Sequence, residues 1–70
     1  MSMLVTVNGE RTEVPAGATV RGLLEQLGGA PDGRGVAVAL EGEVVPRAAW
    51  PRTEIVDGAH VEVVVAVQGG

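Results

Sequence analysis

Residues 3–28, MLVTVNGERTEVPAGATVRGLLEQLG, carry two hydrophobic periods in succession, and that succession decides the fold. Met3 to Val7 is short and β-prone, and Asn8-Gly9 follows it. Asn-Gly supplies the two positive-φ residues of a type I′ turn, so the chain reverses there into a hairpin. Arg11 to Val14 reads as the return strand, ended by Pro15, which has no N–H to donate to a ladder. Ala16-Gly17-Ala18 is a loop, and Thr19 occupies a helix N-cap position. After it the period changes. Val20, Leu23, Leu24 and Leu27 fall at i, i+3, i+4 and i+7 and form one apolar stripe on a helix. Arg21, Glu25 and Gln26 lie off the stripe and face solvent. Gly28-Gly29 stops the helix, with Gly28 as a left-handed cap and Pro31 blocking continuation. Gly22 weakens the helix by about 1 kcal/mol relative to alanine and marks a close approach to the sheet.

Working outward, Ala30 to Gly35 is a polar, glycine-rich connection. Val36 to Leu40 alternates large and small residues, which gives a strand with one bulky face. Glu41-Gly42 is a tight turn, and Glu43 to Val45 is a short strand stopped by Pro46. Residues 46–58 read as irregular, closed by an Asp57-Gly58 turn, with Trp50 and Ile55 anchoring the connection to the core. His60 to Val67 reads as the longest strand, with Val61, Val63, Val65 and Val67 on one apolar face. The one amphipathic helix needs one apolar sheet face, so the expected class is a two-layer α+β domain spanning residues 1–70. The order of elements resembles that of the β-grasp, or ubiquitin-like, fold. That fold implies a mixed four- to five-stranded sheet packed on one helix, with the first and last strands parallel at its centre.

Composition narrows the function. Nine acidic residues against five arginines give a net charge of -4, which argues against nucleic acid as a partner, because phosphate binding needs a basic face. Hydrophobic residues make up 46%, too many for a disordered segment, yet no apolar run approaches the roughly 20 residues of a membrane span. Without cysteine there is no disulfide, thiolate metal site or thiol nucleophile. No export signal is visible at Met1 to Thr6, so the expected setting is the cytoplasm, with no membrane contact and a monomer when free. Fourteen valines against a single aromatic, Trp50, point to an aliphatic, sheet-rich core.

An enzyme site is not apparent. His60 has no second histidine to share a metal, and the glutamates Glu10, Glu13, Glu41 and Glu43 read as solvated charges around turns. The glycines end a helix instead of opening one, so they do not cradle phosphate. The informative feature is the end, Val67-Gln68-Gly69-Gly70, directly behind a strand. Without Cβ atoms a Gly-Gly tail can thread a narrow channel, and three extended residues reach about 10 Å into another protein's active site. Gln68, Gly69 and Gly70 are the candidate tail, read as flexible. Its carboxylate becomes reactive once ATP-dependent adenylation gives it a leaving group.

The whole chain resembles the ThiS family of sulfur carriers in thiamine (thiazole) biosynthesis. The resemblance rests on the opening strand with Asn8-Gly9, on Gly17 to Leu24, on Val44-Val45-Pro46-Arg47-Ala48-Ala49-Trp50, and on Asp57-Gly58 with the strand running into Gly69-Gly70. The Val-Pro-Arg-x-x-Trp segment and the terminal Gly-Gly are the more specific parts. The resemblance implies a protein co-substrate, not an enzyme, with no bound cofactor. Gly70 would be adenylated by a ThiF-type adenylyltransferase using MgATP. Sulfur from a cysteine desulfurase would displace AMP to leave a thiocarboxylate, and thiazole synthase (ThiG) would take that sulfur. A carrier without a thiol must hold sulfur on its terminus, in keeping with the absence of cysteine. If the odd positions of the last strand face the helix, then Glu62, Val64 and Ala66 face outward beside Leu4 and Thr6, a partly apolar face suited to docking. The negative charge would steer it to a basic partner rim. The alternatives are a carrier for molybdopterin or cysteine synthesis, a protein modifier, or a β-grasp interaction domain.

Overall fold

A computed structural model describes residues 1–28 and 35–65. The elements are β1 (Ser2–Val7), β2 (Glu10–Pro15), α1 (Val20–Gln26), β3 (Val36–Leu40), β4 (Glu43–Val45), a 3-10 helix (Arg47–Arg52) and β5 (His60–Val65). They form one five-stranded sheet in the order β2-β1-β5-β3-β4. β1 and β5 pair in parallel at its centre, and the other neighbours are antiparallel. The predicted mixed sheet with parallel first and last strands is therefore present, with all five strands.

Both short hairpins turn where the sequence places them. Asn8 and Gly9 have φ of 51° and 84°, and Glu41 and Gly42 have 51° and 83°, the positive-φ pairs of type I′ turns. The first strand pair extends one residue further at each end of the return strand than expected. Pro15 pairs opposite Ser2, which edge strand β2 tolerates because its outer side needs no donor.

The core is aliphatic apart from one indole. Met3, Val5 and Val7 of β1, Val14 of β2, Val38 of β3 and Val61 of β5 are buried against Val20, Leu23 and Leu24 of α1, with Trp50, Ile55 and Ala59 completing the set. The period-2 pattern of the strands and the 3.6 period of the helix thus meet in one layer. Thr19 caps α1, its hydroxyl accepting from the Gly22 N–H at 3.1 Å. Gly28 follows at φ 81°, the left-handed residue expected there. Gly29 and Pro31, and with them the connection through Arg34, lie outside the described residues.

Three expectations are corrected. Leu27 does not complete the buried stripe: the helix ends at Gln26, and Leu27, at the cap, is 46% exposed. Gly22 does not mark a close approach to the sheet, since a Cβ there would meet only the Thr19 hydroxyl at 3.6 Å. Residues 46–58 are not irregular throughout: Arg47–Arg52 winds into a 3-10 helix, with the Ala49 N–H donating to the Pro46 carbonyl at 2.8 Å. Its purpose is visible in the packing. Trp50 is buried and donates its Nε1–H to the Val45 carbonyl at 2.9 Å. The Ile55 N–H donates to the Ala18 carbonyl and the Val20 N–H to the Thr53 carbonyl, each at 2.9 Å, stitching this segment to the start of α1. Trp50 and Ile55 are the anchors the sequence suggested.

Candidate functional site

β5 carries the backbone along the centre of the sheet towards the terminal glycines. Ala66, Val67, Gln68, Gly69 and Gly70 lie outside the described residues, so the strand leading to them and the sheet face beside it are what the geometry defines. α1 covers only one face of the sheet. Along β5 the odd-numbered Val61 and Val63 are buried or half-buried, whereas His60, Glu62 and Val64 are exposed on the opposite face. Burial fades along the strand: Val65, on the helix side by alternation, is still 63% exposed.

Register divides the predicted outer-face residues into groups. Glu62 pairs opposite Ala39 and Val64 opposite Ala37, while Ala39 also pairs opposite Val44 of β4. Val44 and Val64 are 75% and 62% exposed, and the two alanines between them keep this end of the face low and flat. Thr6 pairs opposite His60, a step earlier along β5. Leu4, half-exposed, lies at the far end of the face, where its N–H donates to Asp57 Oδ1 at 2.9 Å and its carbonyl accepts from the Gly58 N–H at 2.8 Å. The apolar patch nearest the tail is thus Ala37, Val44 and Val64, with Glu62 at its border. Ala37, Ala39 and Val44 were missing from the sequence-derived face. The signal for the alanines was present in the large-small alternation of Val36 to Leu40, which puts the small residues opposite the bulky, helix-facing side.

The middle of the face is polar. The His60 N–H donates to Glu41 Oε2 at 2.8 Å, and its Nδ1 lies 3.9 Å from the same oxygen. Both side chains are more than half exposed, so water screens the pair and it adds little to stability. Arg11 stands opposite Thr6 and Glu13 opposite Leu4, where Glu13 Oε2 accepts from the Ser2 hydroxyl at 2.6 Å. Among the described residues no three His, Cys, Asp or Glu side chains converge to hold a metal ion. Nor is any described helix long and apolar enough to cross a membrane. What the described residues offer is a flat, partly apolar sheet face beside the central strand β5.

Among the described residues, that combination of sheet order, one covering helix and an open face defines a β-grasp protein. Comparison with known proteins agrees. The ThiS family model matches residues 5–70. Sulfur carrier protein ThiS of Escherichia coli (strain K12) is 34% identical over 70 residues, covering 97% of this chain and 100% of that protein. A thiazole synthase of Paramagnetospirillum magneticum is 37% identical over 68 residues, and the chain spans only 20% of its length. The crystal structure of the thiamine biosynthesis protein ThiS from Geobacter metallireducens superposes with a TM-score of 0.79 at 36% identity, covering 97% of this chain and all of that one. The solution structure of the same organism's thiamine biosynthesis protein gives the same TM-score at 37% identity, with 97% and 88% of the two chains covered. The chain belongs to the ThiS family, small sulfur carrier proteins of thiamine biosynthesis that are not themselves catalysts.

Proposed function

We propose that the Gly70 carboxylate is the group that carries sulfur. A ThiF-type adenylyltransferase binds the outer sheet face and draws Gln68, Gly69 and Gly70 into its active site. There a Gly70 carboxylate oxygen attacks the α-phosphorus of MgATP, pyrophosphate leaves, and the terminus becomes an acyl adenylate. The outer sulfur of a persulfide formed by a cysteine desulfurase attacks the acyl carbon, AMP departs with the bonding pair, and a thiol reductant cleaves the S–S bond of the resulting acyl disulfide. The thiocarboxylate that remains is the sulfur donor for thiazole synthase (ThiG), in a cytoplasmic pathway. The carrier itself binds no cofactor.

The observation that carries this reading is the family match, which runs through to Gly70. The similarity to a segment making up 20% of a thiazole synthase supports that enzyme as the acceptor, since carrier-like and synthase sequences share one chain there. The docking face is assigned to Leu4, Thr6, Glu62, Val64 and Ala66, extended by Ala37 and Val44 at the tail end. An exposed apolar strip of this kind is what a transient partner covers, and the net charge of -4 favours a basic rim around it.

Intact mass spectrometry tests the chemistry. After incubation with a ThiF-type enzyme, MgATP, cysteine, a cysteine desulfurase and a thiol reductant, the mass should rise by the exchange of one oxygen for sulfur. Deleting Gly70 should abolish the shift while leaving the circular dichroism spectrum unchanged. An unchanged mass with a partner of proven activity would overturn the reading.

A further inference from the structure

At the tail end of the sheet β5 outruns β1. The parallel pairing runs only from Thr6 opposite His60 to Val7 opposite Val61, after which β1 turns away at Asn8-Gly9. The place of the missing strand residue is taken by a side chain. Asn8 Nδ2 donates to the Val63 carbonyl at 3.0 Å, and Asn8 Oδ1 accepts from the Val63 N–H at 2.8 Å. The Asn8 main-chain N–H donates to the Val61 carbonyl at 2.9 Å, so one residue makes three bonds to β5. A carboxamide presents the same donor and acceptor as a peptide unit, and here it adds a rung to the ladder after the backbone has left. On its other side β5 stays paired with β3 through Val64 and Val65.

The turn alone does not require this residue. A type I′ turn accepts Gly or Asp at the first position as readily as Asn. Only Asn has both a donor and an acceptor for Val63. Gly has neither, and an ionised Asp would set a second acceptor against the Val63 carbonyl. We propose that Asn8 is a positioning residue whose carboxamide holds β5 in register at Val63 and so sets the direction in which the chain continues beyond Val65 relative to the docking face. The proposal rests on the sulfur-carrier reading. The clamp lies upstream of the tail, so a strand end that swings there moves the Gly70 carboxylate further still, and a partner must then select one direction among many.

The test compares the full chain with Asn8→Gly, which keeps the turn and removes the clamp, and with Asn8→Asp, which keeps one acceptor. Two quantities are read at a temperature where circular dichroism shows all three fully folded. Exchange of the Val63 amide, followed by NMR, should quicken about tenfold in Asn8→Gly, the order expected when one or two exposed hydrogen bonds are lost. The kcat/KM for adenylation by a ThiF-type enzyme with MgATP should fall about tenfold in the same variant, and at least as far in Asn8→Asp, whose second oxygen repels the Val63 carbonyl. Unaltered Val63 exchange would overturn the clamp. Faster exchange with kcat/KM within twofold of the parent would overturn the positioning role and leave a purely structural bond. Failure of the parent chain itself to be adenylated would sink the carrier reading and the positioning role with it, whereas the exchange data would still report on the clamp.

Discussion

Trp50 shows how much one residue decides in a chain of this size. It is the single aromatic side chain of the protein, 5% exposed, and its indole N–H is bonded to the Val45 carbonyl. Around it the core is built of valines, leucines, an isoleucine, an alanine and a methionine, so no other ring can fill its volume. Trp50→Ala is expected to lose about 3–5 kcal/mol by leaving a cavity. Because the core of a domain of this size rarely supplies more than about 3–5 kcal/mol of net stability, that variant should be partly unfolded at room temperature. Trp50→Phe keeps most of the volume but orphans the Val45 carbonyl, and should cost about 1–3 kcal/mol. Urea denaturation followed by far-ultraviolet circular dichroism measures both. A loss below about 1 kcal/mol for Trp50→Ala would show that the 3-10 segment is not what pins the long connection.

At the scale of the element, α1 is too short to stand alone. Seven residues lie below the length at which isolated helices persist in water, so capping and burial must hold it. Val20, Leu23 and Leu24 provide the burial, and Thr19 provides the cap. The Gln26 side chain adds a tie to the neighbouring strand, its Nε2 donating to the Glu13 carbonyl at 2.9 Å. Thr19→Ala should therefore destabilise by about 1 kcal/mol. Gly22→Ala should do the reverse, raising stability by up to about 1 kcal/mol, because the added methyl enters ordinary contact distance and the helix loses its most flexible residue. Thermal unfolding of the two single variants and the double variant reads both effects. A destabilised Gly22→Ala would mean that the methyl meets more than the Thr19 hydroxyl.

At the scale of the whole molecule, the sheet separates two tasks. Among the described residues, one face is spent on the core, and the other is left open beside β5. Val44 and Val64 lie on the open face, so replacing both by threonine keeps their shape and strand preference while making the patch polar. Stability should change by less than about 0.5 kcal/mol, as for other surface substitutions. Two methyl groups withdrawn from a partner interface, at about 0.8 kcal/mol each, should raise the KM for adenylation about tenfold. Enzyme kinetics with a ThiF-type partner checks this, and an unaltered KM would place the docking surface elsewhere.

The sequence by itself determined the element order, the turns and the sidedness of nearly every element. These depend on chemistry within a few residues: Asn-Gly at positive φ, a period of 2 giving way to one of 3.6, a threonine cap and a glycine stop. It also carried the family, through the Val-Pro-Arg-x-x-Trp segment and the glycine pair. Only the tertiary structure decided which outer-face residues are neighbours. Leu4 and Val64 share a face in the sequence pattern, yet the parallel register of β1 and β5 puts them at opposite ends and brings Ala37 and Val44 to the tail end instead. The 3-10 turn of Arg47–Arg52 was hidden because prolines on either side of Trp50 read as breaks, and the indole's bond to Val45 is what gives the turn its purpose. The Asn8 clamp was hidden for a related reason. Its turn role is local and readable, but its partner Val63 lies 55 positions away, and no local propensity records a hydrogen bond made at that distance.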